Sequence, residues 1–356
     1  MICKEEIEEN LRRYDKDNIT IATLCSHSAL QIFFGAKQEG FRTLGICKPE
    51  VKKVYDSFPL AKPDEYLIVK DYNEILSDQI QGELLKRNAV VIPHGSFVEY
   101  VGSKNIEEKF YAPIFGNRKV LDWEGNRKME MEWLQRAGIP LPTVFENPSE
   151  IDRLCIVKFY GAKGGSGFFL VKSEKEFKEK MKNADNSNRE NYLIQEYILG
   201  IRYYPHYFYS PILDRTELLS MDRRDESNID GLYRIGATKK EIEDVGTYVV
   251  TGNLPVIVRE SLLPKIINIG EMVVNSSVDL FPPGMIGPFC VEMVCRNDLE
   301  FMTFEISARI VAGTNLYPAG SQYSCYLFDE PMSSGRRISR EIKLAMEDDR
   351  LDEIIY

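Results

Sequence analysis

The stretch PFCVEMVCRNDLEFMTFEISARIVAGTN, residues 288–315, sets two apolar runs on either side of a polar turn at Asn297 and Asp298, with one acid in each run, Glu292 and Glu305. Apolar runs of this length bounded by turn residues form strands, and side chains alternate between the two faces of a strand. A two-residue loop (Asn297 and Asp298) or a four-residue loop (297–300) puts both glutamates on one face, opposite or diagonal to each other. Like charges so placed destabilise a half-buried sheet; at ~4 Å and an effective dielectric near 20 the repulsion is on the order of 4 kcal/mol. Such a pair protonates or takes up a cation, and two carboxylates joined by phosphate oxygens suit Mg²⁺. The plainer reading is a hairpin with a solvated outer face. Ser307 and Arg309 continue the Glu305 face, which adds an anion-binding guanidinium beyond the acids.

A metal that shares its ligands with a polyphosphate needs a cover. VKFYGAKGGSGFFL, residues 157–170, supplies a candidate: strand, a loop holding Gly161, Gly164, Gly165 and Gly167, then strand again. The glycines permit close approach of backbone to ligand, and Lys158 and Lys163 bring positive charge. The loop runs into a strand and not a helix, which disfavours a P-loop; a tight hairpin and a phosphate lid both remain open. Around it lie the strand CIVKFY, the strand FFLVK, the helix SEKEFKEKMKNA opened by Ser173 and Glu176, and the strand YLIQEYI. This reads as a small unit over 123–200. The remainder, 201–356, reads as a mostly antiparallel sheet with helices at RESLLPKIINIGEMVVNSS and GRRISREIKLAMEDD.

The first unit, 1–122, alternates strand and helix signals (NITIATLC, SHSALQIFFGAKQEG, FRTLGIC, EYLIVK, NAVVIPHGS), the rhythm of a parallel sheet. Ligands on such sheets sit at the carboxyl ends of strands. Two strand ends carry CSHS (residues 25–28) and PHGS (93–96), and two of the chain's three histidines, His27 and His94, fall there. Ser26 or Ser28 is placed to cap the following helix. A capped helix and an ordinary turn account for either motif alone; together they point to a cleft.

Composition narrows the function. With 45 Lys and Arg against 55 Asp and Glu the 356-residue chain carries a formal charge of −10, and no basic run marks a nucleic-acid face. Seven cysteines, an odd number without CxxC spacing, read as buried thiols in a reducing compartment. The charged N-terminal helix and the lack of any stretch of ~18 apolar residues give no membrane expectation and a cytoplasmic one.

The order of these parts, a lid lysine, a QEYILG strand and a late acidic hairpin ending in E-x-S-x-R, resembles the ATP-grasp superfamily. The resemblance implies an α/β and α+β architecture: a Rossmann-like parallel-sheet domain, a small lid domain and a C-terminal antiparallel domain. It implies ATP between lid and sheet, with Lys158, Lys163, Gly164 and Gly165 at the phosphates and Glu196, Tyr197 and Ile198 as the hinge at adenine. Glu292 and Glu305 match Mg²⁺ (or Mn²⁺) ligands and Arg309 a phosphate contact. Ser307 stands where Asn is usual, and a hydroxyl can still ligate Mg²⁺.

Eight fragments in order (ATLCSHSALQIFFGAKQEGF, VIPHGSF, IFGNR, HYFYS, MDRRDESNIDG, TGNLPVIVRESLLP, GPFCVEM and FEISARIVAGTN) resemble the archaeal-type formaminoimidazole-carboxamide ribonucleotide synthetases. That resemblance implies a ligase of purine (IMP) biosynthesis that uses ATP and formate to formylate the 5-amino group of aminoimidazole carboxamide ribonucleotide (AICAR), giving the formamido product FAICAR. His27, Ser96 and Asn253 would hold the ribonucleotide, Glu226 would touch ATP, and His27 is also a candidate base for the amine proton. Another ATP-grasp carboxylate–amine ligase and a non-catalytic nucleotide sensor are the competing readings. A homo-oligomer is expected.

Overall fold

Four short strands near the N-terminus, β1 (Thr20–Leu24), β2 (Arg42–Cys47), β3 (Glu65–Ile68) and β4 (Ala89–Val91), pair in parallel in the order β3-β2-β1-β4. The computed structural model describes residues 2, 4–159, 168–182, 191–238 and 247–356. β1 is buried at every position, as a parallel strand covered on both faces must be. Ala22 and Leu24 enter one core, whereas Ile21 enters a second with Ile32 and Ala36 of the helix Ala29–Gln38 and Ile338, Ile342 and Ala345 of the helix Ser334–Glu347. One core is therefore shared by residues from both ends of the chain.

The two helices meet at glycines. A Cβ on Gly35 would lie 2.2 Å from the Arg336 backbone nitrogen, and one on Gly335 would lie 2.3 Å from the Gln31 carbonyl oxygen. Backbone cannot yield as a flexible side chain does, so Gly35→Ala is expected to cost about 2–3 kcal/mol, read as a lowered Tm in a thermal melt.

The second sheet holds β5 (Val144–Phe145), β6 (Cys155–Phe159), β7 (Phe168–Val171) and β8 (Tyr192–Glu196) in the order β5-β8-β6-β7. The helix Glu174–Met181 begins at Ser173, whose hydroxyl accepts from the Glu176 amide. The glycine loop between β6 and β7, with Gly161, Lys163, Gly164, Gly165 and Gly167, lies outside the described residues.

The third sheet, β9 (Ile201–Ser210), β10 (Arg215–Asn228), β11 (Tyr248–Pro255), β12 (Gly287–Cys295) and β13 (Phe301–Ser307), is antiparallel throughout in the order β11-β10-β9-β12-β13. One face is apolar: Tyr207, Met221, Phe289, Val291, Met293 and Ile306 share a core with Ile266, Ile269, Val273 and Val274 of the helix Leu263–Leu280. Gly270 lets that helix settle onto the Tyr207 ring, where a Cβ would stand 2.6 Å away. The opposite face is polar.

Five of the six described cysteines are buried; Cys325 is exposed, against the sequence expectation, because it lies in the short helix Ser324–Leu327 and not in a strand. Among the described residues no helix is long and apolar enough to cross a membrane.

Candidate active site

The polar face of the third sheet carries one continuous row of side chains. Strand register sets Asn253 of β11 opposite Arg224 of β10, Asp222 opposite Tyr204, Ser220 opposite His206, His206 opposite Cys290, Glu292 opposite Glu305, and Cys290 opposite Ser307. Directly paired residues share a face. The two glutamates are thus opposed, by a route the loop-length argument did not contain. The turn is three residues, closed by Arg296 and Glu300, with Leu299 in the left-handed region at φ 64°. An irregularity next to Glu292, where Phe304 is the extra residue, then restores the register.

The repulsion between them is also met differently. Glu292 is buried and bound bidentately by Arg224, Nη1 to Oε2 at 3.0 Å and Nη2 to Oε1 at 2.5 Å, and the guanidinium lies 3.9 Å from the Tyr204 ring centre. A guanidinium fork fits a carboxylate in this way. Glu305 remains open to solvent; loss of hydration and then the Glu292 charge raise its carboxyl above the ordinary range, against the pull of Lys158 and Arg224. Lys158, from β6, donates to Gln195 Oε1 at 3.1 Å and is lowered by burial, with Glu305 acting in the opposite direction.

Two acids behind β13 hold the strand in place. Glu130 accepts from the Ile306 amide at 2.7 Å, and Glu124 accepts from the Ala308 amide at 2.9 Å and pairs with Arg309 at 3.0 Å. Burial raises both carboxyls, Glu130 strongly, with Glu305 as its second cause. Among the described residues the Nε of Arg309 and the Nε2 of Gln195 are buried without a partner, two donors of the kind an anionic ligand would satisfy.

Arg309 joins this face to the first sheet, where residue 310 bridges His94. β1 and β4 are neighbours at the point where strand order reverses, the ordinary ligand position on such sheets. Their carboxyl ends touch: Ser26 donates to Ser96 at 3.0 Å, and the His27 and His94 rings stack with centroids 5.5 Å apart. A Cβ on Gly95 would meet His27 Nε2 at 3.1 Å and Arg309 Cζ at 3.3 Å. His27 adopts φ 46°, an uncommon left-handed conformation for a side-chain-bearing residue. Ser28 stands at the N-cap of the helix Ala29–Gln38, yet its hydroxyl makes no cap bond and meets His27 Nδ1 at 2.8 Å.

Burial, then His94 and Arg309, lower His27; burial pushes fully enclosed His94 down to about 4, with Arg309 adding and the hydrogen bond to the Leu24 carbonyl opposing. Between its ordinary value of 6.5 and about 4, the unfolded chain binds a proton on His94 that the folded chain refuses. Stability from this group is complete above 6.5 and declines as pH falls through that window. The slope of Tm against pH between 6.5 and 4 is expected to be smaller in His94→Gln than in the wild-type chain.

The remaining sequence-derived residues lie on β8, on the residues after it and on β10. Glu226, at the far end of β10, is paired with Arg202 of β9. Glu196 closes β8, where its amide donates to the Thr143 carbonyl at 2.7 Å and its carboxylate lies 3.7 Å from Arg153. The Tyr197 amide donates to the Leu154 carbonyl at 2.9 Å, and Ile198 follows, half-buried. Lys163, Gly164 and Gly165 fall outside the described residues. Arg224, Asp222, His206, Glu124 and Glu130 were not singled out from sequence. Asp222, Arg224 and Glu226 lie in an unbroken run of five charges, Asp222 to Glu226, which shows no alternation to mark one face.

Among the described residues no cluster of three or more His, Cys, Asp or Glu could hold a metal. The oxygen groups that meet at this point of the sheet are the two opposed carboxylates and the Ser307 hydroxyl, 3.5 Å from Glu292 Oε1. Oxygen donors this few suit an ion that completes its shell with water and phosphate oxygens.

A parallel sheet, a small four-stranded antiparallel sheet and a five-stranded antiparallel sheet with opposed glutamates define an ATP-grasp ligase fold. Two families of undefined role match the chain: "Protein of unknown function (DUF1246)" over 21–145 and "Domain of unknown function (DUF1297)" over 169–356. A curated relative from Methanothrix thermoacetophila, named 5-formaminoimidazole-4-carboxamide-1-(beta)-D-ribofuranosyl 5'-monophosphate synthetase, is 52% identical over 366 aligned positions, covering 100% of each chain. The crystal structure of an IMP biosynthesis protein PurP from Thermococcus kodakaraensis has a TM-score of 0.75 at 35% identity, covering 94% of this chain and 100% of that one. An ADP complex of purK, N5-carboxyaminoimidazole ribonucleotide synthetase, shares the fold at TM-score 0.64 and 16% identity over 91% of this chain and 76% of that one. The chain belongs to the 5-formaminoimidazole-4-carboxamide ribonucleotide synthetase family.

Proposed function

We propose that the chain is an ATP- and formate-dependent ligase that formylates the 5-amino group of AICAR, giving FAICAR, in purine (IMP) biosynthesis. The observation that carries this reading is the opposition of Glu292 and Glu305 beneath Lys158, with Arg309 connecting that pair to the His27 turn. Formate is a poor electrophile and the ring amine a poor nucleophile, so the carboxylate is first phosphorylated to formyl phosphate, which the amine then attacks. Mg²⁺ or Mn²⁺, held by Glu292 and Glu305, supplies neutralisation of phosphate charge when bound.

Lys158 and Arg309 bring fixed positive charge to the transferring phosphoryl group, which makes catalysis chiefly electrostatics and positioning. The Ser26–Ser96 and His27–His94 contacts shape a cradle for the ribonucleotide, and Asn253 meets it from β11. With its pKa lowered, His27 is unprotonated at neutral pH, the form in which it can take the amine proton. ATP lies against Glu196, Tyr197 and Ile198, with Glu226 beside it. The units 1–122, 123–200 and 201–356 are its parallel-sheet, lid and metal-site parts; we place it in the cytoplasm as a homo-oligomer.

The test is ADP release from ATP and Mg²⁺ with formate and AICAR, each omitted in turn. ADP formation that requires both, with FAICAR as product, supports the reading. ADP formation that needs neither, or a much better rate with another acid or amine, overturns it.

A further inference from the structure

A buried hydrogen-bonded chain crosses three strands of the third sheet beside the proposed ribonucleotide contact. His206 of β9 meets the Ser220 hydroxyl through Nδ1 at 2.7 Å and Asp222 Oδ1 through Nε2 at 2.7 Å. The other carboxylate oxygen, Asp222 Oδ2, accepts from Asn253 Nδ2 of β11 at 2.7 Å. His206, Ser220 and Asp222 are each no more than 2% exposed. Gly313 closes over the carboxylate: a Cβ there would stand 2.2 Å from Asp222 Oδ1, so the group is walled into one orientation.

An ionised carboxylate only accepts hydrogen bonds, whereas a side-chain amide has a donating end and an accepting end. Asp222 therefore captures the NH₂ end of Asn253 and leaves the carbonyl end, Oδ1, for the cleft. Asn253 is half-buried, and among the described residues its Oδ1 has no hydrogen-bond partner. The geometry points to Asp222 as a positioning residue that fixes Asn253 as an acceptor, so that the ribonucleotide group meeting it is a hydrogen-bond donor, an N–H or a hydroxyl, and not a phosphate or carboxylate oxygen. This rests on the proposed contact between Asn253 and the ribonucleotide.

The polarity can be inverted and restored with isosteric changes. In Asp222→Asn, His206 Nε2 still finds the Asn carbonyl, which turns the new NH₂ towards Asn253 and forces that amide to flip its own NH₂ into the cleft. In Asn253→Asp two carboxylates face each other. In Asp222→Asn with Asn253→Asp, the new Asn donates to one oxygen of the new Asp, whose other oxygen again faces the cleft as an acceptor.

Steady-state kinetics and thermal melts of the three variants and the wild-type chain decide the matter. The expected result is a KM for AICAR raised by about tenfold in Asp222→Asn, with the KM for ATP unchanged, and a return to within about threefold of wild type in the double variant. A KM for AICAR that stays at the wild-type value in Asp222→Asn overturns the inference, whether or not Tm falls. So does a double variant no better than Asp222→Asn, which also decides the case if that single variant folds poorly. A wild-type chain that does not turn over AICAR at all overturns the functional reading instead, so the two failures are separable.

Discussion

Glu305→Gln is expected to lower kcat by about 10²- to 10³-fold while raising Tm. The substitution keeps the shape and removes the charge of the carboxylate opposite Glu292 on the polar face. If Glu305 holds Mg²⁺ against ATP, its loss removes charge compensation at the place where phosphoryl transfer needs it, and losses of that size follow removal of a single preorganised electrostatic group. Binding of ATP, measured by calorimetry, should lose most of its dependence on Mg²⁺ as well. Stability moves the other way because Glu305 pays for its position: desolvation and Glu292 raise its folded-state pKa. Its contribution is most favourable below the unfolded value and is lost as pH rises through the folded one, so neutral Gln relieves the chain at pH 7 and above. A variant with full turnover would refute the metal assignment.

Arg337→Met is expected to destabilise the chain by about 3–5 kcal/mol. Arg337 is fully buried, donating from Nε to Glu217 Oε2 and from Nη1 to Glu341 Oε2, each at 2.7 Å, with its guanidinium 4.2 Å from the Phe208 ring centre. Glu217 and Glu341 are equally enclosed, and Glu341 also takes the Ser210 hydroxyl at 2.7 and 2.8 Å. Removing the cation takes the ion-pair partner from buried Glu341 and leaves Glu217 with Arg215 alone, whose Nε donates to Oε1 at 2.7 Å, and breaking a buried pair from one side costs far more than the intact cluster contributes. Chemical denaturation should show the loss as a lower midpoint. Replacing Glu217 and Glu341 with Leu in the Arg337→Met background should recover part of it, since an apolar cluster carries no stranded charge.

The four strands of the first sheet, β6, β7 and β8 of the second, the β12–β13 hairpin and the placing of Glu292 and Glu305 on one face were legible in the sequence because each rests on local periodicity; β5, β9, β10 and β11, and the three-residue turn with its extra residue Phe304, were not. The position of the Cys25–Ser28 type of turn beside its partner at His94 was legible too, through strand ends. What was not legible depends on distant contact. Nothing near Glu292 announces that Arg224, 68 positions earlier, answers its charge, and the sequence argument therefore left that task to protonation or to a bound cation. Glu130 lies in a helix whose pattern RKMEMEWLQR shows alternating charge and gives no reason to expect one acid to be buried against a strand 176 positions away. Residues 222–226 are all charged, a run that reads as a solvated strand, and burial of Asp222 comes from elements elsewhere in the chain.

The meeting of Gly35 with Gly335 bears on how the protein is made. The first sheet is translated early, but one side of it finds its covering residues, Ile338, Ile342 and Ala345, only in the helix near the end of the chain. During synthesis Ile21, Ile32, Val90 and Ile92 therefore wait exposed while about 240 further residues are added, and long-range closure of this kind is slow and open to aggregation. The N-terminal unit is early in sequence and late in folding, and a nascent chain halted before Ser334 should remain susceptible to proteases at strands that the finished protein buries.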